Sequence, residues 1–588
     1  MTKGGRAVLA AGVALGWGAA IEPVLAADPR PAKPAFCEIP RDWPYSRHAA
    51  PTVAEHGMVV SDAPLATRVG VAVLKGGGTA VDAAIATAFA LAVVLPGAGN
   101  IGGGGFIVAT VGGQKLALDF RETAPAAARR DMFLDDKGEP TDRSINGHLA
   151  AGVPGSVAGL WALHQKFGGQ PWAELLEAAI HLAEEGFEVD ADFARDVKSR
   201  AKTLGPFSAS AKLYLPDDSP IATGARWRNP DLAQTLRLIA ARGRDGFYQG
   251  ETASRIVTEM RRGGGIVSEA DLNAYQARWR EPIVFTYRGH RIVSMPPPSS
   301  GGLALAILAR QLESHDLRSL GWHSPAAIHV QAEAMRRAFA VRNEMLGDPD
   351  FVEVPQARLL SPEFVAGLMP SISMDRATPS ELVSQIGVAA EPRHTTHFSV
   401  VDQRSNAVAM TTTINGWFGS GITVAGAGFL LNNEMDDFAS KPGSPNKFGL
   451  VQGERNAIAP GKRMLSAMAP TIVLDSESRP MMVTGASGGP YIITTTFQLI
   501  SHRLDYGMDA AASMSRPRIH HQHLPDVLYL EKGGFSEQQI VTLRRLGHRV
   551  EAFDVWENGG TIAATIERSD GRWWGVSDPR IHGLAAGY

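Results

Sequence analysis

Read for the spacing of its apolar positions, the chain falls into blocks of helix and blocks of strand. Residues 63–95 predict two helices separated by Gly76-Gly77-Gly78. The second, TAVDAAIATAFALAVVLP, is apolar nearly all round, which predicts a helix buried on every side. The segment GFIVATVGGQKLALDF (105–120) alternates with period two and predicts a hairpin of strands. Residues 155–200 and 230–262 carry helical spacing punctuated by Gly and Pro, MPPPSSGG (295–302) predicts a rigid turn into a helix, and 325–346 predicts a long helix ending at GDPD. A polar stretch follows, from about 370 to 394. Then TTHFSVVD and NAVAMTTTING alternate as strands, with further strands at 470–485 and a mixed tail. Helices and strands in blocks, not in strict βαβ alternation, argue against a doubly wound parallel sheet.

Composition narrows the picture. The chain has 588 residues, 44% hydrophobic and 20% charged, which is a globular balance. With 57 basic and 60 acidic side chains it has a net charge of −3, so nothing in bulk electrostatics points to nucleic acid as a partner. A single cysteine, Cys37, excludes an internal disulfide and any multi-cysteine metal site. The first residues look like an export signal. Lys3 and Arg6 precede an apolar run at 7–21, and Val24-Leu25-Ala26 is a small-residue cleavage site. The run is shorter than the ~20 residues of a membrane span, although a tail held by a marginal helix is the alternative. A signal peptide over 1–26 implies a periplasmic or secreted protein.

Three motifs compete for the chemistry. Gly97-Ala98-Gly99-Asn100-Ile101-Gly102 matches a dinucleotide-binding fingerprint, but it follows a helix and precedes a strand. A bound phosphate would then face a helix C-terminus, the wrong pole, and close backbone packing is the better reading. Gly485-Ala486-Ser487-Gly488-Gly489 matches G-x-S-x-G, with a strand before it and a helix after, as a nucleophile elbow requires. Against a serine hydrolase stand the short remaining chain, the missing parallel pattern upstream and the absence of an HGGG-type segment. The cluster His520, His521, His523 has no recognisable metal-ligand spacing, and surface or core histidines account for it better.

The third motif starts at Thr395. A threonine hydroxyl needs a base, and the α-amine of an N-terminal threonine can supply one, with a pKa of roughly 7.7–8.0. That requires cleavage between His394 and Thr395, which the hydroxyl itself can begin by attacking the carbonyl just upstream. Alternation puts Thr395, His397, Ser399 and Val401 on one face. If Gln403-Arg404-Ser405 is the hairpin loop, Asp402 pairs with Asn406 and Thr413 falls opposite Thr395, where a second hydroxyl can orient the first. On this motif alone, an ordinary strand is the better explanation of TTHFSVVD.

TTHFSVVD followed by NAVAMTTTING resembles the start of the small subunit of the γ-glutamyltransferases, the glutathione-hydrolysing family. The resemblance extends in order through PGAGNIGGGGF, LDFRETAPAAA, MPPPSSGG, MLGDPDF, LLNNEMDDF, GKRMLSAMAPTIV, VTGASGGPYIITT and SDPR. It implies an N-terminal-nucleophile hydrolase with a four-layer αββα sandwich in the α+β class, made jointly by a large subunit (27–394) and a small subunit (395–588). It implies no organic cofactor. Carried across residue by residue, Thr395 is the processing residue and nucleophile, and Thr413 supports its hydroxyl. Arg121 binds the α-carboxylate of a γ-glutamyl group together with Ser466, a guanidinium being suited to bidentate carboxylate binding. Asn415, Glu434 and Asp437 hold the α-ammonium, and Gly488 and Gly489 offer N–H groups to the oxyanion. The implied partners are a glutathione-like donor and water, an amino acid or a peptide as acceptor. Without the resemblance, Arg121 reads equally well as a buried ion pair with Glu122 or another acid, and NNEMDDF as a solvated loop.

The chain departs from the family pattern in places. The usual pair of serines is Ser466-Ala467, the proline before them is Met464, the Gln of many bacterial members is Glu434, and a lid tyrosine is Phe448. These departures keep two alternatives open. One is a glutaryl or cephalosporin acylase of the same superfamily, whose acyl group carries no α-ammonium. The other is an inactive periplasmic scaffold. Retention of Asp437 favours the first reading over the acylase, and intact Thr395, Thr413, Gly488 and Gly489 speak against the scaffold.

Overall fold

The computed structural model describes residues 37–47, 50–384, 395–444, 451–555 and 562–588. The proposed signal peptide, His394 and Phe448 lie outside them. Fourteen strands build two seven-stranded sheets. In chain order they are β1 (Thr52–Ala54), β2 (Met58–Ser61), β3 (Gly104–Val111), β4 (Gln114–Asp119), β5 (Arg278–Arg280), β6 (Ile283–Tyr287) and β7 (His290–Ser294). After them come β8 (Thr396–Val401), β9 (Ala407–Thr413), β10 (Thr471–Leu474), β11 (Pro480–Ala486), β12 (Ala563–Ser569), β13 (Arg572–Ser577) and β14 (Leu584–Gly587). One sheet runs β1-β13-β12-β11-β10-β7-β6 and the other β14-β2-β8-β9-β3-β4-β5. Neighbouring strands within both are antiparallel.

The sheets stack face to face, and helices cover the outer faces. Alternation along β8 explains the layering. Phe398 and Val400 point into the core shared with α1 (Pro64–Lys75) and α2 (Ala80–Val94). Val401 faces the core between the sheets. α2 begins at a capping box, where Thr79 accepts from the Asp82 backbone N–H and the Asp82 carboxylate accepts in return. Packed between α1 and the strands, it has no solvent face, which is why its sequence shows almost no polar stripe. On the other side, α3 (Gly301–Glu313) and α5 (Tyr491–Leu504) cover the β11 sheet, and α4 (Pro325–Met345) packs on α3. The arrangement is the expected αββα sandwich. Among the described residues no helix is long and apolar enough to cross a membrane.

Candidate active site

The β8–β9 hairpin sets the nucleophile end. Its register pairs Thr396 with Thr412 and Val401 with Ala407, so the hydrogen bond from Asp402 N–H to the Asn406 carbonyl closes the loop as the alternation predicts. One step beyond the ladder, the hydroxyls of Thr395 and Thr413 lie 3.5 Å apart. Thr413 Oγ1 also accepts the Asn415 backbone N–H at 2.8 Å, which fixes its rotamer. His397, on the same face as Thr395, is buried between Thr411 and Ser399 at 2.8 and 3.2 Å. Burial pushes it down to about 3, so it is neutral and structural. Thr396 points the other way and donates to Asp62 at 2.7 Å, a carboxyl that burial pushes up to about 7.

The G-x-S-x-G segment turns from β11 toward α5. A Cβ on Gly485 would stand 2.4 Å from the His397 ring, so this glycine is set by the close approach of the two sheets. Gly488 and Gly489 have φ of 107° and 57°, the left-handed region that favours glycine. Gly489 lines the cleft, whereas Gly488 sits one residue back in the same turn. Ser487 donates to the Ile562 carbonyl at 3.3 Å and does not line the cleft, so it is a turn residue.

The charged end is assembled from distant segments. Arg121 follows β4, its N–H capped by Asp119 at 2.9 Å and its carbonyl held by the Tyr275 hydroxyl at 2.7 Å. Its guanidinium pairs with both Glu434 and Asp437 on one 3-10 turn, and its Nε donates to the Met464 carbonyl at 3.3 Å. The acid-rich segment is therefore buried, not a solvated loop, and Arg121 forms a buried ion pair with it. Gln452 and Asn456 side chains donate to the Asp437 carbonyl at 2.9 and 2.7 Å, and Asn415 donates to the Asn433 carbonyl at 2.8 Å.

Three carboxyls share this space. Glu122, beside Arg121, is fully buried, and both its oxygens lack a hydrogen bond. Burial raises Glu122 to about 7, Asp437 to about 6 and Glu434 well above the usual range, with Arg121 opposing each rise.

The two ends meet in one cleft with about 330 Å³ of empty space, lined by Arg121, Thr395, Thr413, Asn415, Glu434, Asp437, Ser466 and Gly489 together with Ala467 and Arg342. It brings together every expected site residue among the described ones except Gly488. Sequence reasoning took Glu122 only as an ion-pair partner of Arg121 and missed Arg342 in the cleft. Glu122 adjoins a motif residue, but nothing in the periodicity of α4 singles out Arg342. The clustered histidines His520, His521 and His523 are buried: His520 bonds Thr494 and Gln522, each at 2.9 Å, and His521 pairs with Asp526. His329, Glu333 and His548 also converge, but Glu333 is committed to Arg336 and Arg337.

Comparison with known proteins decides the lineage. A family description named Gamma-glutamyltranspeptidase matches residues 66–588. The chain belongs to the γ-glutamyltranspeptidase family. It is similar to the glutathione hydrolase proenzyme of Escherichia coli, at 43% identity over 92% of this chain and 93% of that protein. Among solved structures, γ-glutamyltranspeptidase from Helicobacter pylori is 43% identical with a TM-score of 0.54, over 55% of this chain and 93% of that one. Cephalosporin acylase from Bacillus halodurans superposes with a TM-score of 0.80 over 93% of this chain and 99% of that one, at 26% identity. The acylase shares the architecture of the family at much greater sequence distance.

Proposed function

We infer that this chain is an autoprocessed γ-glutamyl transferase and hydrolase. It cleaves the γ-glutamyl bond of glutathione and related compounds and passes the group to water, an amino acid or a peptide. One observation carries this reading: the cleft holding the Thr395 hydroxyl also holds a guanidinium and two carboxylates, the counter-charges of an amino-acid zwitterion. A glutaryl donor has no ammonium and gives Glu434 and Asp437 nothing to bind, which disfavours the acylase reading.

The chemistry begins with processing. Thr395 Oγ attacks the carbonyl of His394, the chain shifts to an ester, and water releases an N-terminal Thr395. In the mature enzyme the α-amine takes the proton of Oγ as it attacks the γ-carbonyl. The N–H groups of Gly488 and Gly489 face the oxyanion. Collapse expels the leaving amine, which takes the proton back from the α-ammonium, and leaves a γ-glutamyl ester on Thr395. Water or an acceptor amine then attacks that ester through the same steps. We also propose that residues 1–26 direct export to the periplasm or medium.

Mass spectrometry of the purified protein tests the core of this reading. The wild type should give two polypeptides, one beginning Thr395-Thr396-His397, and should release p-nitroaniline from a γ-glutamyl anilide. Thr395→Ala should remain one chain with no detectable turnover. An uncleaved wild type with full activity would sink the mechanism.

A further inference from the structure

Arg342 lies on α4, fully buried, and its side chain lines the same cleft as Thr395 and Arg121. Two of its nitrogens are engaged by neutral groups. Nε donates to Ser300 Oγ at 3.0 Å, and Nη1 donates to Asn343 Oδ1 at 2.9 Å and Gln452 Oε1 at 3.5 Å. Nη2 is buried and has no hydrogen-bond partner. Among the described residues no carboxylate forms an ion pair with this guanidinium. Arg121, by contrast, already has Glu434 and Asp437 on its two terminal nitrogens.

A buried cation without a counter-ion is costly, and it persists where a ligand supplies the missing charge. Burial and the nearby Arg121 depress Arg342 to about 10, with Asp437 acting the other way, so it stays charged at neutral pH. Ala467 lines the same cleft beside Ser466 and offers no hydrogen-bond donor from its side chain. The cleft thus holds one guanidinium nitrogen without a partner.

Building on the γ-glutamyl reading, we propose that Arg342 is a substrate-binding residue of this enzyme. Its Nη2 donates to the α-carboxylate of the donor. Arg121 is then shared between that carboxylate and the two acids that receive the ammonium. Donor binding inserts a zwitterion into a ring of charges, with the carboxylate on the Arg342 side and the ammonium on the side of Glu434 and Asp437.

The test compares two anilides that differ in one group: the γ-glutamyl anilide and the 4-aminobutyryl anilide, which keeps the ammonium but lacks the carboxylate. In Arg342→Gln the KM for the γ-glutamyl donor should rise about 10–100-fold, the range for a hydrogen bond to a charged group, with kcat little changed. The KM for the 4-aminobutyryl donor should stay within about twofold of wild type. Arg342→Lys, which keeps the charge but not the fork, should fall between and serves as the readout if the Gln variant fails to fold or process. Equal rises for both donors, or a loss confined to kcat, would mean that Arg342 only supports α4, and would overturn the proposal. A wild type that turns over neither donor would instead remove the γ-glutamyl reading on which it rests.

Discussion

The two ends of the cleft are built on different principles. At the nucleophile end the key groups come from one hairpin and one turn, and neutral hydrogen bonds of ordinary length position them. At the opposite end Arg121, Arg342, Ser466 and the turn carrying Glu434 and Asp437 come from separate segments, and buried charges stand in mutual balance. Strand register is a local device: moving one residue flips a whole face, so the geometry is strongly specified. A buried charge cluster is a collective device, and removing one member leaves the others uncompensated. Substitutions should therefore act on kcat at the first end and on binding of the group they face at the second.

With Thr395 in place, the largest expected effect comes from Asp437→Asn. If Asp437 receives the donor ammonium, as proposed, losing its charge should raise the KM for a γ-glutamyl anilide about 10–100-fold. A glutaryl anilide, lacking the ammonium, should lose nothing, and steady-state kinetics on the two donors checks this. The same residue sets a pH dependence. Burial holds Asp437 at about 6, facing Arg121, Arg342, Glu122, Glu434 and Asp436. As pH falls through 6 the carboxylate takes a proton and stops attracting the ammonium, so KM should climb on the acid side. In Asp437→Asn that limb should flatten; a limb that persists would assign it to another group.

A smaller effect is expected from Thr413→Val, which removes the hydroxyl beside Thr395 and leaves the Asn415 N–H without its acceptor. One neutral hydrogen bond is worth about 1 kcal/mol, so kcat should drop about 5–10-fold with KM nearly constant. A KM effect of similar size would erase the contrast between the two ends. Smallest is Ala467→Ser, which offers the carboxylate one more donor. Because that charge changes little during reaction, KM should fall by at most about tenfold while kcat holds. If Arg342 already fills the role, the gain should shrink toward unity, and should return in the Arg342→Gln background, a coupling that a double-mutant cycle reads directly.

The same contrast explains what the sequence could disclose. The alternation of β8 and a three-residue loop were enough to pair Asp402 with Asn406 and bring Thr413 to Thr395. The uniform apolarity of α2 announced its burial. The charged end was visible only through resemblance, because nothing local connects position 121 to 434 or 467. Arg342 stayed hidden for the same reason: an arginine on a helix reads as solvated until the fold buries it. The G-x-S-x-G segment was ambiguous because an elbow and an oxyanion turn share the strand–turn–helix context. Against the elbow, the fold turns Ser487 to the Ile562 carbonyl and leaves it out of the cleft, a placement that no local pattern announces.

The interleaving of strands in those sheets has a consequence for the enzyme's history. If the chain is cut before Thr395, β1, β6 and β7 in one sheet, and β2, β3, β4 and β5 in the other, belong to one product. The remaining strands of both sheets belong to the second product, so neither fragment retains a complete sheet. An uncut chain would fold as a single molecule, at a rate indifferent to concentration. Once cut and denatured, the same polypeptides would have to find each other in solution and rebuild two sheets strand by strand. On the proposed reading, processing is a ratchet: it switches on the chemistry and discards the connection that made assembly easy, so the mature enzyme would depend on never coming apart.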